Sequence, residues 1–431
     1  MGSTTESLGV VGTAGAVAST SLAEQFRWVR QASLRCCASL SVEDHSLQAM
    51  PDASPAKWHL AHTTWFFETF LLHEQLPGYK TINPAFRTLF NSYYDAIGDR
   101  PLRAMRHVLS RPSLEEVHAY RGHVDEAMEL LLSRDLARDV VDLVTLGLNH
   151  EQQHQELILT DVKYGLAANP LGSVYRERPV AAPASEESAP ELTWHSFPKG
   201  IYPIGFEGQG FCFDNELPCH HVYLEPFRLA SRLVTNGEYM EFMHDRGYAT
   251  VKLWLSDGWD TVRANQWVAP LYWERRDGAW WHSTLNGIQP VKEAEPVCHL
   301  SYYEADAFAR WAGARLATES EWEVASQSCL IGGNFMDSDA LHPQIAPEGV
   351  SLTQMFGDVW EWTGSAYLAY PGYQPVPGAV GEYNGKFMSN QMVLRGGSCA
   401  SPQSHLRGTY RNFFPPHARW QFMGIRLANG D

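Results

Sequence analysis

The chain has no run of about 18 apolar residues, the length a helix needs to cross a bilayer, so no membrane-spanning segment is expected. Positive charge is in short supply: 33 Lys and Arg stand against 49 Asp and Glu, a formal net charge of −16. That balance argues against nucleic acid or an anionic membrane as a partner. Cysteine is scarce as well. The seven, at 36, 37, 212, 219, 298, 329 and 399, are odd in number and show no C-x-x-C spacing, so reduced thiols in a cytoplasmic protein are expected. Cys212 and Cys219 are near enough in sequence to pair, but they read better as small buried residues. Residues 1–20 lack the basic start and solid apolar block of a secretory leader, and a disordered tail is expected there.

What the chain does have is aromatic mass, with 15 Trp and 18 Tyr among 431 residues. Rings in that number suit loop-rich domains whose cores are built from large side chains. The length implies two domains or three. Up to about residue 168 the apolar periodicity is helical, with helices expected over Leu22–Leu40, Pro55–Glu74, from Ser113 onward and over Asp139–Ala168. Ser113 and Glu116 have the spacing of a capping box. Four amphipathic helices in so short a span predict an antiparallel bundle over 21–168. A linker rich in Pro, Ala, Glu and Ser is expected over 169–191. From 192 to 431 the texture changes to Gly, Trp, Tyr and Phe between short strands, with helical periodicity only at Thr235–Arg246 and Tyr302–Trp311, which predicts an irregular α+β domain.

Within the last bundle helix His150 and His154 lie at i and i+4, on one helix face, and can address one metal ion. A third ligand is expected from the helix after Pro55, where His59 and His62 are both candidates; His62 is preferred because it precedes the apolar run Trp65, Phe66, Phe67, Phe70 and Leu71. Imidazoles accept iron, zinc, copper or nickel, so residue type alone does not name the metal. His150-Glu151-Gln152-Gln153-His154 also satisfies the H-E-x-x-H pattern of zinc hydrolases, in which Glu151 would be the general base.

Four stretches of the second domain carry a resemblance: Arg315-Leu316-Ala317-Thr318-Glu319-Ser320-Glu321-Trp322-Glu323, Gly357-Asp358-Val359-Trp360-Glu361-Trp362-Thr363, Arg395-Gly396-Gly397-Ser398 and Gly424-Ile425-Arg426-Leu427. In order and spacing they resemble the formylglycine-generating-enzyme fold, related to C-type lectins. The first domain resembles a DinB-type four-helix bundle. Together they resemble the sulfoxide synthases of ergothioneine biosynthesis, non-haem iron enzymes that use dioxygen to join a cysteine sulfur to C2 of the imidazole of hercynine.

The resemblance implies Fe(II) as cofactor, His62, His150 and His154 as its ligands, and Glu156 as a group beside the ligands rather than on the metal. It implies that Gln153 and Asn412 hold hercynine, whose permanent cation favours aromatic walls such as Phe413, Phe414 or Trp420. In one branch of the family the Arg-Asn pair is followed by Trp-Asp, which assists recognition of γ-glutamylcysteine; here Phe413 and Phe414 follow Asn412, which favours free cysteine as donor. Between the ligand helices, Tyr94 is the expected proton or hydrogen-atom donor to reduced dioxygen, with Tyr93 as its partner and Tyr367 and Tyr370 in reserve. Arg100 and Arg103 offer guanidiniums for the donor's carboxylate, whereas Arg87 reads as solvated. Alternatives are an ovothiol-type synthase on unmethylated histidine, a selenium donor as in selenoneine formation, a non-catalytic metal-binding bundle with a lectin-like recognition module, and, behind these, a zinc hydrolase.

Overall fold

The computed structural model describes residues 21–177, 188–349, 352–378, 381 and 384–430. The expected tail over 1–20 and the middle of the expected linker, 178–187, lie outside the described residues.

The first half is helical. Helix α1 (Leu22–Cys37) starts at Ser21, whose hydroxyl accepts from Glu24 N while the Glu24 carboxylate takes Ser21 N–H. It stops short of Leu40. Helix α2 (Ala56–Phe67) is buried at every position, which fits its apolar circumference and makes it the central rod. It continues through a wider π-helical turn, Glu68–Leu72, into the short α3 (His73–Gln75). After α4 (Phe86–Leu89) and two 3-10 turns, Asp95–Ile97 and Arg103–Val108, come the long helices α5 (Leu114–Leu132) and α6 (Arg138–Ala167). The expected capping box is present at Ser113 and Glu116.

Helix α6 packs on α1 and α2. Gly147 sets the approach, because a Cβ there would stand 2.7 Å from the Phe67 ring and 2.9 Å from that of Phe66. Rotation of α6 is set by an ion cluster: Glu151 accepts from Arg121 Nη2 at 2.6 Å, Arg30 Nη1 at 2.9 Å and Ser33 Oγ at 2.6 Å, with all four side chains buried. Holding Glu151 there turns His150 and His154 toward α2.

The second half has two four-stranded sheets. One runs Trp194–Phe197, Phe227–Ala230, Leu427–Gly430, Arg315–Leu316; the other runs Asn412–Phe414, Met392–Arg395, Trp360–Ala366, Met423–Gly424. A two-stranded hairpin (Gly200–Ile204, His220–Leu224) and a three-stranded meander (Trp273–Arg276, Ala279–Thr284, Gly287–Pro290) flank them. The four sequence stretches that carry the resemblance build this core: Arg426 pairs with Glu361 at 2.9 Å, Trp322 Nε1 donates to Glu361 at 2.8 Å, Arg395 pairs with Glu323, and Arg315 pairs with Glu321 at 2.7 Å.

Two helices correct the expectation that only Thr235–Arg246 and Tyr302–Trp311 are helical here. Besides Asn236–His244 and Tyr302–Trp311 the domain has Ser256–Asn265 and Glu319–Ser326. Glu319–Ser326 is short and buries its Glu and Ser side chains together with its apolar ones, so hydropathy shows no period, and its start is set locally by a Thr318–Glu321 capping box. Part of the expected linker is packed: Tyr175 is buried and its hydroxyl donates to the Cys36 carbonyl at 2.9 Å. All seven cysteines are free, including Cys212 and Cys219. No helix among the described residues is long and apolar enough to cross a membrane.

Candidate metal centre

Three buried imidazoles, from His62 on α2 and His150 and His154 on α6, present donor nitrogens within 4.8 Å of one another. Their ring centroids lie 4.6 to 5.1 Å apart. His62 is sandwiched between the indoles of Trp58, at 4.6 Å, and Trp65, at 5.5 Å, both nearly parallel to it. Its Nδ1–H donates to the Phe90 carbonyl at 2.6 Å, which leaves the Nε2 lone pair for a metal.

His59, the other histidine of α2, stands behind the cluster. Its Nε2 is 3.2 Å from Asp161 Oδ2 and its Nδ1 is 2.7 Å from His154 Nδ1. A carboxylate accepts only, so the proton sits on His59 Nε2, His59 Nδ1 is an acceptor, and His154 Nδ1–H donates to it. His154 Nε2 is thereby left with its lone pair toward the cluster. The chain Asp161–His59–His154 is the carboxylate–imidazole support that orients metal-bound histidines.

Burial, aided by the neighbouring imidazoles, pushes His62 and His154 well below the ordinary histidine range; burial brings His150 to about 4. All three are therefore neutral near pH 7, the form that binds metal. No fourth His, Cys, Asp or Glu joins the group among the described residues. Neutral nitrogen donors of this kind fit a first-row ion that keeps open positions.

The zinc-hydrolase alternative fails on Glu151. Burial alone would raise its carboxyl, but Arg121 and Arg30 outweigh it and hold it at about 2. Glu151 is locked in the bundle core and is not among the residues lining the cavity beside the imidazoles, so it cannot act as that enzyme's base.

The imidazoles open into a cavity of ≈ 290 Å³ between the two halves of the chain. Tyr94 is buried on its wall, with its ring 5.5 Å from Trp65 and 5.1 Å from Phe70. Tyr93 also lines it, its hydroxyl accepting from Arg103 Nη1 at 3.0 Å. Gln153, Asn412, Phe413, Phe414 and Trp420 line the cavity too. Gln153 Nε2 donates to Tyr410 Oη at 2.8 Å, and Asn412 Oδ1 accepts from Phe413 N at 2.9 Å.

Arg100 corrects the sequence reading. It is exposed, tied to Asp95 at 3.1 Å and to the Ser92 carbonyl at 2.7 Å, and is absent from the cavity wall. Arg103 lines the wall, and so does Arg106, which sequence reasoning missed. Arg106 donates to Ser54 Oγ at 2.8 Å and Ser92 Oγ at 2.9 Å, with its guanidinium carbon 3.3 Å from the centre of the Trp58 ring. Burial pulls it down to about 9, and none of its hydrogen bonds goes to a carboxylate. The signal was its spacing of three from Arg103, one turn of a 3-10 helix. Arg87 is exposed, as expected. Tyr367 and Tyr370 are buried outside the wall: the Tyr367 hydroxyl accepts from Asn215 Nδ2 at 2.9 Å while its ring stacks on Phe413 at 4.0 Å, and Tyr370 lies under Arg411 at 4.0 Å.

Glu156 takes its hydrogen bonds from the second half of the chain, not from an imidazole. Trp360 Nε1 donates at 2.8 Å, Ser398 Oγ at 2.6 Å and Ser401 Oγ at 2.7 Å. Burial raises its carboxyl and these donors offset part of that. Glu156 thus joins α6 to the G-D-V-W and R-G-G-S stretches, with Gln152 to Ser404 at 2.7 Å and Gln421 to Thr160 at 3.0 Å beside it.

Comparison with known proteins agrees with this architecture. The sulfatase-modifying factor enzyme 1-like domain matches residues 181–349 and 344–430, and the DinB superfamily matches 25–158. Hercynine oxygenase of Mycobacterium tuberculosis is 32% identical over 403 residues, covering 88% of this chain and 91% of that one. The Mycolicibacterium smegmatis enzyme is 30% identical over 449 residues, covering 96% and 99%. A formylglycine-generating enzyme of Streptomyces coelicolor is 28% identical over 302 residues, covering 58% and 92%. With these relatives, fold and site define an oxygenase in which a helical bundle carrying three clustered histidines is fused to a formylglycine-generating-enzyme-like domain. The chain belongs to the hercynine oxygenase family.

Proposed function

We propose that the chain joins the sulfur of cysteine to C2 of the imidazole of hercynine and oxidises that sulfur to the sulfoxide, using O2 and an Fe(II) ion held by His62, His150 and His154. The observation that carries this reading is three neutral, buried imidazoles facing a cavity lined by both aromatic rings and guanidiniums. Stoichiometry balances without another reductant: the thiol and C2–H supply two hydrogens, one oxygen atom ends on sulfur and the other in water. Bound Fe(II) would supply redox chemistry with O2 and the open positions that a thiolate and an imidazole need.

The remaining roles belong to the chain's own groups. Arg103 and Arg106 hold substrate carboxylates; Arg106 is the stronger candidate because its desolvated guanidinium hydrogen-bonds to serine hydroxyls rather than to a carboxylate. Phe413, Phe414 and Trp420 face the trimethylammonium group, and Gln153 and Asn412 orient hercynine. Tyr94 delivers the proton, with Tyr93 behind it on Arg103. Free cysteine is the preferred donor, since Phe413 stacks on Tyr367 and neither it nor Phe414 offers an acid to a γ-glutamyl amine.

The test is incubation of Fe(II)-loaded enzyme with hercynine, O2 and either cysteine or γ-glutamylcysteine, with products read by mass spectrometry. Sulfoxide formed faster from cysteine supports the reading. Faster turnover of the dipeptide overturns the donor assignment, and no sulfoxide from either overturns the reaction.

A further inference from the structure

We propose that His282, Glu295 and His342 form a second site for a divalent metal ion, with Zn(II) the best match to its donors. The three come from separate segments, and one donor atom from each lies within 4.8 Å of the others. None of them lines the cavity beside the first cluster, so the two sites are independent.

Each segment is anchored by contacts of its own. His282 is on the middle strand of the meander, opposite Trp273 on one side and Gln289 on the other. Glu295 follows the meander, and its carbonyl accepts from Asn236 N at 2.8 Å, at the start of the helix Asn236–His244. The carbonyl of His342 accepts from Asn334 Nδ2 at 2.8 Å, and the same amide reaches Asp358 at 2.7 Å. The donors are held by backbone that other contacts fix, as a metal site requires.

The side chains go beyond what an ion pair needs. His342 Nε2 is 3.0 Å from Glu295 Oε2, which by itself would be an ordinary imidazole–carboxylate contact. A second buried imidazole, His282, stands 5.1 Å from His342, ring to ring, at 85°. His342 Nδ1 is buried and has no hydrogen-bond partner among the described residues.

Two lysines lie near enough to oppose a cation. Lys292 Nζ sits on Glu295 Oε1 at 2.9 Å, leaving Oε2 on the histidine side. Lys163 is held by His299 Nε2 at 2.5 Å and lies 4.6 Å from the centres of the Tyr272 and Phe422 rings. Two imidazoles and one carboxylate, with water in the fourth position, suit tetrahedral Zn(II). Bound there, the ion would clamp the meander to the loop that leads through Asn334 and Asp358 to the G-D-V-W stretch.

The experiment counts zinc in the full chain. Wild type, His282→Ala, His150→Ala and the double variant are each dialysed against Zn(II) at about 1 µM, a free concentration that retains sites of micromolar affinity or tighter, and analysed by elemental mass spectrometry. The two donor groups predict two equivalents for wild type, one for each single variant and none for the double. The equivalent kept by His282→Ala at the first site also reports that the variant is folded. A count in His282→Ala equal to that of wild type overturns the proposal. Should His282→Ala lose both ions, His342→Gln, at a partly exposed position, decides: loss of one equivalent upholds the site and retention of both refutes it.

Discussion

Replacing His59 by Phe removes the acceptor for His154 Nδ1–H but keeps a ring of similar volume against Trp58. In the structure that N–H has a partner at 2.7 Å, and the partner is itself held by Asp161 at 3.2 Å. Without it a buried donor goes unpaired, at a cost of about 1–3 kcal/mol. Binding of a metal at His154 Nε2 favours the tautomer with its proton on Nδ1, so the penalty falls on the metal-bound state. At about 1.4 kcal/mol per decade this becomes roughly 5- to 150-fold weaker metal binding, in line with the 10- to 100-fold commonly lost with such supports. The assay is competition of Co(II) or Fe(II) between the protein and a chromophoric chelator under anaerobic conditions. His59→Gln, whose amide oxygen can accept the same hydrogen bond, should recover most of the affinity. Unchanged affinity in His59→Phe would refute the relay. Complete loss there, with full metal retained by His62→Ala, would show that His59 and not His62 is the ligand.

Tyr94→Phe should leave iron content and substrate affinity intact while slowing sulfoxide formation by about 10²–10⁴-fold, the usual loss for a positioned acid, with thiol diverted to sulfinate; an unchanged sulfoxide-to-sulfinate ratio would remove Tyr94 from that role. Arg106→Met should raise KM about tenfold or more, since hydrogen bonds to charged groups contribute roughly 1.5–3 kcal/mol, whereas exposed Arg100→Ala should change KM little; equal effects would contradict the cavity assignment. Glu151 is held at about 2, below its ordinary 4.5, so it contributes stability that is complete above the ordinary value and is lost as pH falls from about 4.5 toward 2. Glu151→Gln should destabilise the bundle at neutral pH by about 3–5 kcal/mol, because Arg30 and Arg121 lose their buried counter-charge, and should flatten the acid limb of the Tm–pH curve; an unaltered limb would show that other carboxylates control it.

Much of the candidate metal centre was legible because its three imidazoles lie on helices, where spacing in sequence fixes direction in space. His150 and His154 share a face by period alone, and Ser113 with Glu116 marked the start of α5 by side-chain chemistry alone. The groups that could not be read sit where no period operates. Arg100, Arg103 and Arg106 occupy a loop and a 3-10 turn, and only the fold decides that Arg100 faces Asp95 while Arg106 faces Trp58. Tyr410 and Trp360 reach the site from strands and loops of the other half, more than two hundred residues from the α6 side chains they touch. Glu156 lines the same cavity as the imidazoles, but its partners Trp360, Ser398 and Ser401 lie in the other half of the chain, where no spacing in sequence points to them.

The central claim is that His62, His150 and His154 together hold the iron on which C–S bond formation depends. Its most direct test is one experiment on wild type and the three single Ala variants: iron counted per chain after anaerobic loading, then sulfoxide formed per chain with cysteine, hercynine and O2. The account predicts one iron and turnover in wild type, with both lost in each variant while the circular dichroism of the bundle persists. A variant that keeps its iron and forms sulfoxide at the wild-type rate would contradict it.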